Sequence, residues 1–314
     1  MTNAAWAVLL AASLPADAVD TGALRPGLVA TYRGRFPEAI SSIEQALAAL
    51  NAESSLPWRL PGRLLLARAY AALGETGEAE RVLEDATEHA GPHTEIHEPQ
   101  RMIAKAWLTA AHGGERTAAE AARRAAQAAH RAGQYALEAE ALHHAARFGD
   151  RTAARPLATL VPRLDGDVAA LYLRHAVAVA DGEAEALDAL SVNFEKAGLI
   201  LSAADAAAQA VPLHDRAGQH RRSAESAARA MQLAARCGGA ITPAIRSAAR
   251  PLPLSRRERE IAAMIAAGLS NREIADKLLV SVRTVEGHIY HACIKLDVSD
   301  RDDLAAIVSA TLRS

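Results

Sequence analysis

A unit of two helices joined by a glycine-containing turn recurs along most of the chain. The clearest copies are residues 31–50 and 69–90, in which an apolar helix ends near Gly34 or Gly74 and a helix with Glu-Ala near its start follows. Glycine relieves the backbone where the first helix stops. The pattern recurs less regularly to residue 237, at a spacing of roughly 35–40 residues, which is the period of a helical solenoid.

The composition favours closely packed helices. Half of the residues are hydrophobic, only 4% are aromatic, and alanine dominates. Alanine has high helix propensity and contributes little area per residue, so a core built from it requires helices that approach closely. We therefore expect an all-α protein. The N-terminal run has no basic start and predicts a first packed helix rather than a signal peptide, and no apolar run approaches the ~20 residues of a membrane span.

The first two repeats carry a recognisable residue pattern. Gly34, Phe36, Glu38 and Ala39 follow one another at the spacing found in tetratricopeptide repeats, which these two units resemble. The resemblance implies stacked helix pairs with a concave surface that holds a peptide, a protein or another subunit. A generic alanine-rich helical array remains the alternative for the later pairs.

Helix caps divide the C-terminal residues into short helices. Ser255 with Glu258, and Ser270 with Glu273, have the spacing of capping boxes. Gly268 is expected to end the first helix in a left-handed turn. The expected core positions of these two helices are Ile261, Met264, Ile265, Ile274, Ala275 and Leu278.

Two further helices complete the expected C-terminal module. Ser281 is expected to cap the third, and Ser299 begins the segment that starts the fourth. The inward positions expected on them are Val282, Val285, Ile289, Leu296, Leu304, Ile307 and Val308. The short separation of the second and third helices is typical of a helix-turn-helix, which places its second helix in the major groove of DNA.

The stretch 254–314 resembles the LuxR-type helix-turn-helix module. The residues that carry the resemblance are Leu254, Arg257, Glu258, Gly268-Leu-Ser-Asn271, Glu273-Ile-Ala275, Leu278, Ser281, Thr284-Val285, His288 and Lys295-Leu296. The resemblance implies sequence-specific binding to duplex promoter DNA as a homodimer, with the fourth helix helping to form the dimer contact. RNA polymerase is a further partner that such a regulator allows.

Candidate base contacts lie on the outward face of the third helix. Arg283 is suited to guanine or a phosphate, and Tyr290 to a thymine methyl or a phosphate. Gly287 would let the helix sit close to a base edge. Glu286 departs from the family's habit of a base-compatible residue after Thr-Val: it either accepts from cytosine N4 or pairs with Arg283 at i,i+3 and preorganises it, the second being favoured.

Other candidate residues would position the module on the phosphates without reading sequence. Thr284, His288 and Lys295 are candidate phosphate contacts, and Ser270, Asn271 and Arg272 would meet the backbone with their N–H groups. A packed helix residue is the alternative for His288, and a solvated aromatic is the alternative for Tyr290.

Charge is distributed unevenly around the module. Residues 251–314 hold nine basic and nine acidic residues, so this part is neutral, unlike the usual basic footprint of a DNA-binding domain. Residues 214–259 hold ten arginines against three acidic residues. The sequence therefore suggests that positive charge just upstream supports DNA binding, and that this binding is sensitive to salt.

No motif in the sequence indicates an enzyme, a metal site or a bound cofactor. A phosphate loop, a nucleophile elbow and a zinc-protease motif are absent, the twelve histidines are scattered, and Cys237 and Cys293 lack a CxxC partner. The chain resembles the C-terminal portion of large ATP-dependent LuxR-family regulators, without their ATPase. We expect residues 1–237 to form a helical-repeat sensor domain, 238–253 a linker and 254–314 the DNA-binding module.

The sequence thus predicts a cytoplasmic transcriptional regulator whose repeats dock an unknown protein or small-molecule effector. The competing hypothesis is a helical-repeat interaction scaffold with a weak or non-DNA-binding helix-turn-helix, which the neutral charge of residues 251–314 favours.

Overall fold

A computed structural model describes residues 21–49, 56–88, 92–249, 254–296, 298 and 300–312, and within these ranges every regular element is a helix. The N-terminal helix expected before residue 20 and the proline-rich break at 251–253 lie outside the described residues. The helices of the repeat region are α1 (Thr21–Tyr32), α2 (Phe36–Ala49), α3 (Leu56–Leu73), α4 (Thr76–Glu88), α5 (Glu98–Ala111), α6 (Glu115–Arg131), α7 (Tyr135–Arg147), α8 (Ala154–Leu160), α9 (Asp167–Asp181), α10 (Ala184–Lys196), α11 (Ile200–Arg216) and α12 (His220–Arg236).

Successive helices pack as antiparallel neighbours, as the repeat pattern predicts. Each of the pairs α1–α2, α5–α6, α6–α7 and α11–α12 is in extensive contact. Gly34 ends α1 with a φ of 75°, and Gly182 ends α9 with a φ of 74°. Residues with a β-carbon avoid this left-handed region, so glycine at these turns fixes where each helix stops.

Alanine sets the separation of the paired helices. On α6 the residues buried against its neighbours include Ala118, Ala122, Ala125 and Ala129, all with 0% exposure. Their spacing of four, three and four residues is one face of a helix. Because each contributes only a methyl group, the backbones of α5 and α7 come close to α6 along this face.

The repeat region closes on itself instead of leaving an open concave surface. Residues 137–147 of α7 are buried along the whole segment, and so are residues 201–208 of α11. A β-carbon on Gly34 would lie 2.8 Å from Cys237 Sγ, and the N–H of Ile241 donates to the carbonyl of Ala72 at 2.7 Å. The first repeats therefore touch the last ones, and α7 and α11 fill the interior that the tetratricopeptide resemblance led us to expect open.

Burial of α7 and α11 places polar side chains in the interior, where each needs a partner. Glu140 accepts from Tyr32 Oη at 2.8 Å and also binds Arg68. Burial alone would raise the pKa of Glu140, but Arg68 and the hydrogen bonds from His144 and Tyr32 hold it at about 2. The ion pair and its hydrogen bonds join α1, α3 and α7.

A short helix, α13 (Pro243–Ala248), lies within the segment expected to be a linker. Thr242 caps it by accepting from the N–H of Ile245. Ile245 and Ala248 are buried against the repeats, and Arg246 donates to the carbonyls of Ala110 and Ala111. This part of the segment thus continues the packing of the repeat region.

Four helices form the C-terminal module: α14 (Arg256–Ala266), α15 (Asn271–Leu278), α16 (Val282–Leu296) and α17 (Arg301–Leu312). Their apolar faces make a second core, separate from that of the repeats, which includes Ile261, Ile274, Val285, Leu296 and Leu304. None of the helices that the structure describes is long and apolar enough to cross a membrane.

Candidate nucleic-acid interface

Two reciprocal caps fix the starts of α14 and α15, as the sequence predicts. Ser255 Oγ accepts from the N–H of Glu258 at 3.3 Å, and Glu258 accepts from the N–H of Ser255 at 2.6 Å. Ser270 and Glu273 form the same arrangement. The predicted left-handed turn between these helices is confirmed at Gly268, whose φ is 87°.

The turn between α15 and α16 has a geometry that the sequence did not reveal. Leu279 adopts a φ of 53°, in the left-handed region that non-glycine residues seldom adopt, and its side chain is 93% exposed. Arg257 Nη2 donates to the carbonyl of Leu278 at 3.3 Å and so ties α14 to this turn. Two residues later Ser281 caps α16 by accepting from the N–H of Thr284 at 3.1 Å. The Arg257 bond before the turn and this cap after it together fix the angle between α15 and α16.

Burial on α16 defines which face remains open. Val285, Ile289 and Leu296 are buried, as expected from their spacing, and Ala292 is buried with them. Val282 is a correction, since 39% of its surface is exposed although we expected it inside. It is the first residue of the helix, and the core beneath α16 begins one turn later.

The candidate base-reading residues lie on the exposed side of α16. Arg283 and Glu286 are exposed, Tyr290 is 64% exposed, and Gly287 and His288 are half-buried. The favoured pairing of Arg283 with Glu286 is not formed: these two described residues make no ion pair with each other. Both side chains are therefore available to a ligand, and cytosine recognition by Glu286 remains the open alternative.

Several candidate phosphate contacts already have partners within the module. Lys295 Nζ donates to both carboxylate oxygens of Glu258, at 2.9 and 2.7 Å. Burial would raise the pKa of Glu258, but the hydrogen bonds from Lys295 and Ser255 outweigh it and lower the pKa. Thr284 Oγ1 lies 2.8 Å from Ser281 Oγ, within the cap of α16.

A side chain of α17 forms hydrogen bonds with residues at the start of α15. Arg301 Nε donates to Asn271 Oδ1 at 3.3 Å, and its Nη2 donates to the carbonyl of Leu269. The N–H of Ser270 is engaged with Glu273, whereas the N–H of Arg272, within the described part of the chain, has no partner and its side chain is exposed. Sequence reasoning did not single out Arg301, because only the folded module brings its side chain to this turn.

Most of the upstream arginines are engaged within the repeats. Four of them pair with acidic residues and one caps helix carbonyls, namely Arg221, Arg222, Arg229, Arg236 and Arg246. Arg256 and Arg259, on the exposed face of α14, form no ion pair with any described residue. The charge excess counted from the sequence is thus largely structural, and Arg256 and Arg259 are two positive charges within the module that remain exposed.

The fourth helix also contacts the repeats. α17 packs against α12 as well as against α14, and Ala224 of α12 is buried in the core of the module. Arg221 Nη1 lies 3.7 Å from Asp303 Oδ2 at the edge of this contact. The face of α17 that meets α12 is therefore covered by the chain itself.

These features define a helix-turn-helix module joined to tetratricopeptide-like helical repeats. Residues 252–308 match the family described as bacterial regulatory proteins, luxR family, and residues 30–101 match the tetratricopeptide repeat. The chain therefore carries a C-terminal module of the luxR family and N-terminal repeats of the tetratricopeptide type.

Curated relatives match the module alone. The oxygen regulatory protein NreC of Staphylococcus haemolyticus (strain JCSC1435) is 51% identical over 51 residues, and so is NreC of Staphylococcus aureus (strain JH9). The match covers 16% of this chain and 24% of each relative. The chain thus spans about a quarter of the length of these relatives.

Proposed function

We propose that the chain is a cytoplasmic, DNA-binding transcriptional regulator. Its C-terminal module binds duplex promoter DNA as a dimer, and the helical repeats hold an effector that controls this binding. The observation that carries the proposal is the exposed face of α16, where Arg283, Glu286 and Tyr290 point away from the buried residues Val285 and Ile289. The 51% sequence identity between the module and the regulatory protein NreC over 51 residues supports the proposal.

The geometry of the module suits the major groove. A helix of 15 residues fits into this groove. The cap at Ser281 and the hydrogen bond from Arg257 to the carbonyl of Leu278 hold the turn between it and α15. In this proposal Arg283 binds guanine, while Arg272 and the unpaired N–H groups at the start of α15 meet phosphates. The ammonium of Lys295 reaches a phosphate while it remains near Glu258.

The first test replaces the central basic residue of this face. Arg283→Ala should weaken binding of the full chain to duplexes selected from a random library by about 1–3 kcal/mol, because a bidentate contact to guanine is lost. Fluorescence anisotropy of labelled duplexes at two salt concentrations would measure this. Lys196→Ala is the matched control, since it removes one exposed positive charge from α10 in the repeats.

The proposal would be contradicted if the unmodified chain bound no duplex at low salt, both with and without an effector bound to the repeats. It would support the alternative of an interaction scaffold, which the neutral charge of residues 251–314 favours.

A second substitution tests what Glu286 reads. Because Glu286 has no ion-pair partner among the described residues, a cytosine N4 amine is the donor that suits it. Glu286→Gln should then relax the preference at one base pair of the selected sites while leaving affinity for other positions unchanged. Sequencing of duplexes selected by both proteins would measure the change, and an identical preference would show that Glu286 reads no base.

A further inference from the structure

Arg301, the first residue of α17, forms two hydrogen bonds across the turn that precedes α15. Its Nε donates to Asn271 Oδ1 at 3.3 Å, and its Nη2 donates to the carbonyl of Leu269. The N–H of Leu269 donates in turn to the carbonyl of Met264 at 3.1 Å, which ties Leu269 to α14. One planar guanidinium group therefore connects the first residue of α15 to a fixed point of the module.

The bond from Arg301 determines which way the amide of Asn271 faces. A guanidinium group has donors and no acceptor, so the amide atom that faces it must be the oxygen. The NH2 group then lies on the other side of the amide carbon, and Asn271 is only half-buried. In the part of the chain that the structure describes, Nδ2 donates to no acceptor. Asn271 thus offers a free donor at the start of α15.

A free donor at this position matters because phosphate oxygens only accept hydrogen bonds. The peptide N–H groups of Asn271 and Arg272 lie in the first turn of α15, and neither has a partner among the described residues. These are N–H groups that meet a phosphate in the proposed function. The Nδ2 group adds a third donor, whereas an amide turned the other way would place its oxygen against the phosphate and repel it.

Arg301 itself differs from a side chain that contacts phosphate directly. It is half-buried, and two of its three guanidinium nitrogens donate within the module. Arg272, by contrast, is exposed and forms no ion pair with any described residue. A guanidinium group that already binds two acceptors is suited to hold a neighbour in place, and Asn271 is the neighbour at the proposed phosphate contact.

We propose that Arg301 is a positioning residue for DNA binding, which holds the amide of Asn271 so that Nδ2 donates to the phosphate at the start of α15. The inference rests on the proposed function and adds a residue to its phosphate contact. Arg301 belongs to α17, and α17 packs against α12 of the repeats. The placement of α17 against the repeats therefore also influences this contact with DNA.

A double-mutant cycle on DNA affinity tests whether Arg301 acts through Asn271. The full chain, Arg301→Met, Asn271→Ala and the double variant are titrated by fluorescence anisotropy against one duplex selected from a random library. Asn271→Ala should weaken binding about fivefold, through loss of one hydrogen bond to the phosphate. Arg301→Met should weaken binding of the unmodified chain about fivefold more than it weakens binding of Asn271→Ala. Effects of the lost charge alone are the same in both backgrounds and cancel.

The salt dependence of binding distinguishes positioning from direct neutralisation of a phosphate. Each phosphate that a basic residue neutralises contributes about 0.9 to the slope of log K against log salt concentration. Asn271 carries no charge, so Arg301→Met should leave this slope unchanged. Arg272→Met is the matched comparison and should lower the slope by about one. Arg174→Met, on the exposed side of α9, removes a charge from the repeats and should change neither slope nor affinity.

Circular dichroism checks that each variant folds. If Arg301→Met does not fold, Arg301→Gln repeats the cycle, since its amide keeps one donor for the carbonyl of Leu269. Equal losses from the substitution of Arg301 in both backgrounds would overturn the inference. Full affinity of Asn271→Ala would also overturn it, and so would a slope lowered by about one in Arg301→Met.

The same titrations separate this inference from the proposed function. A chain that binds duplexes but shows no coupling between Arg301 and Asn271 would contradict the inference alone. A chain that binds no duplex at low salt would contradict the proposed function, and the inference with it.

Discussion

At the scale of single residues, the interior of the repeats is held by histidines that stay neutral. His175 is fully buried, its Nδ1 lies 3.1 Å from His143 Nε2, and its Nε2 lies 2.8 Å from Gln209 Oε1. Burial lowers the pKa of His175 to about 4 and the pKa of His144 to about 3. An imidazole that takes up a proton less readily in the fold than in the unfolded chain makes the fold sensitive to acid.

The free energy of unfolding should therefore fall as the pH drops. The pKa of His175 is near 6.5 in the unfolded chain and about 4 in the folded one, so its contribution is complete above pH 6.5 and lost between pH 6.5 and 4. The loss from this residue is on the order of 3 kcal/mol. In His175→Gln the free energy of unfolding should change less between pH 6.5 and 4. Denaturant titrations followed by Trp fluorescence at several pH values would measure this.

His220→Gln is the control for that titration, because His220 is exposed at the start of α12. Its profile should follow that of the unmodified chain. An unmodified chain with equal stability at pH 7 and pH 4.5 would contradict the prediction.

Residue roles were predictable from the sequence where neighbours along the chain determine them. The caps at Ser255 and Ser270 involve residues three positions apart, and their spacing alone predicts them. The pairing of Arg147 with Asp205 spans 58 positions, and no local pattern indicates it. The same limit applies to Arg229 and Arg236 of α12. Both pair with Glu195 of α10, and only the packing of the two helices brings these side chains together.

At the scale of elements, periodicity predicted the helices well and their ends less well. The helix expected to end near Gly74 ends at Leu73, because Gly74, with a φ of 77°, stops it by its own backbone preference. Val282 has the apolar spacing of the inward face of α16 but lies in the first turn, beyond the reach of the core. Apolar spacing predicts which side of a helix faces the core. It does not predict where along the helix the contact with a neighbouring helix begins.

The cap of α14 should determine the stability of the first module helix. Ser255→Ala removes the oxygen that accepts from the N–H of Glu258 and should destabilise the helix by about 1 kcal/mol. The remaining bonds of Glu258 to Lys295 keep the helix in place, so the effect stays local. Hydrogen exchange of residues 256–266, followed by mass spectrometry, would show faster exchange in the first turn.

Ser255→Asp keeps an acceptor at the cap and should restore most of the protection. Equal exchange rates in Ser255→Ala and the unmodified chain would mean that the cap contributes nothing to α14.

At the scale of the whole molecule, the module is part of the packing of the repeats. α12 belongs to the repeats, yet it contacts both α16 and α17, and Ala224 completes the core of the module. The sequence predicted two separate parts joined by a linker because the boundary is rich in glycine and proline. In this contact α12 presents small residues on one side to α11 and on another side to α17. A prediction made helix by helix does not reveal that one helix has both neighbours.

The contact between α12 and α17 should be broken by a single charge. Ala224 is 6% exposed, so Ala224→Glu would bury an unpaired carboxylate among apolar side chains, at a penalty of several kcal/mol. The ion pair between Arg221 and Asp303 is partly exposed and contributes about 1 kcal/mol or less, too little to hold the contact. Small-angle scattering should then show a larger radius of gyration.

Release of α17 should also raise the dimer fraction in analytical ultracentrifugation, because the proposed dimer uses this helix and the contact with α12 covers one of its faces. Ala235→Glu adds the same charge to an exposed position of α12 and should alter neither measurement. An unchanged radius of gyration in Ala224→Glu would show that the module and the repeats are held together elsewhere. A larger radius with no gain in dimer would show that α17 is not the dimer contact, and the proposed mode of promoter binding would then need another surface of the module.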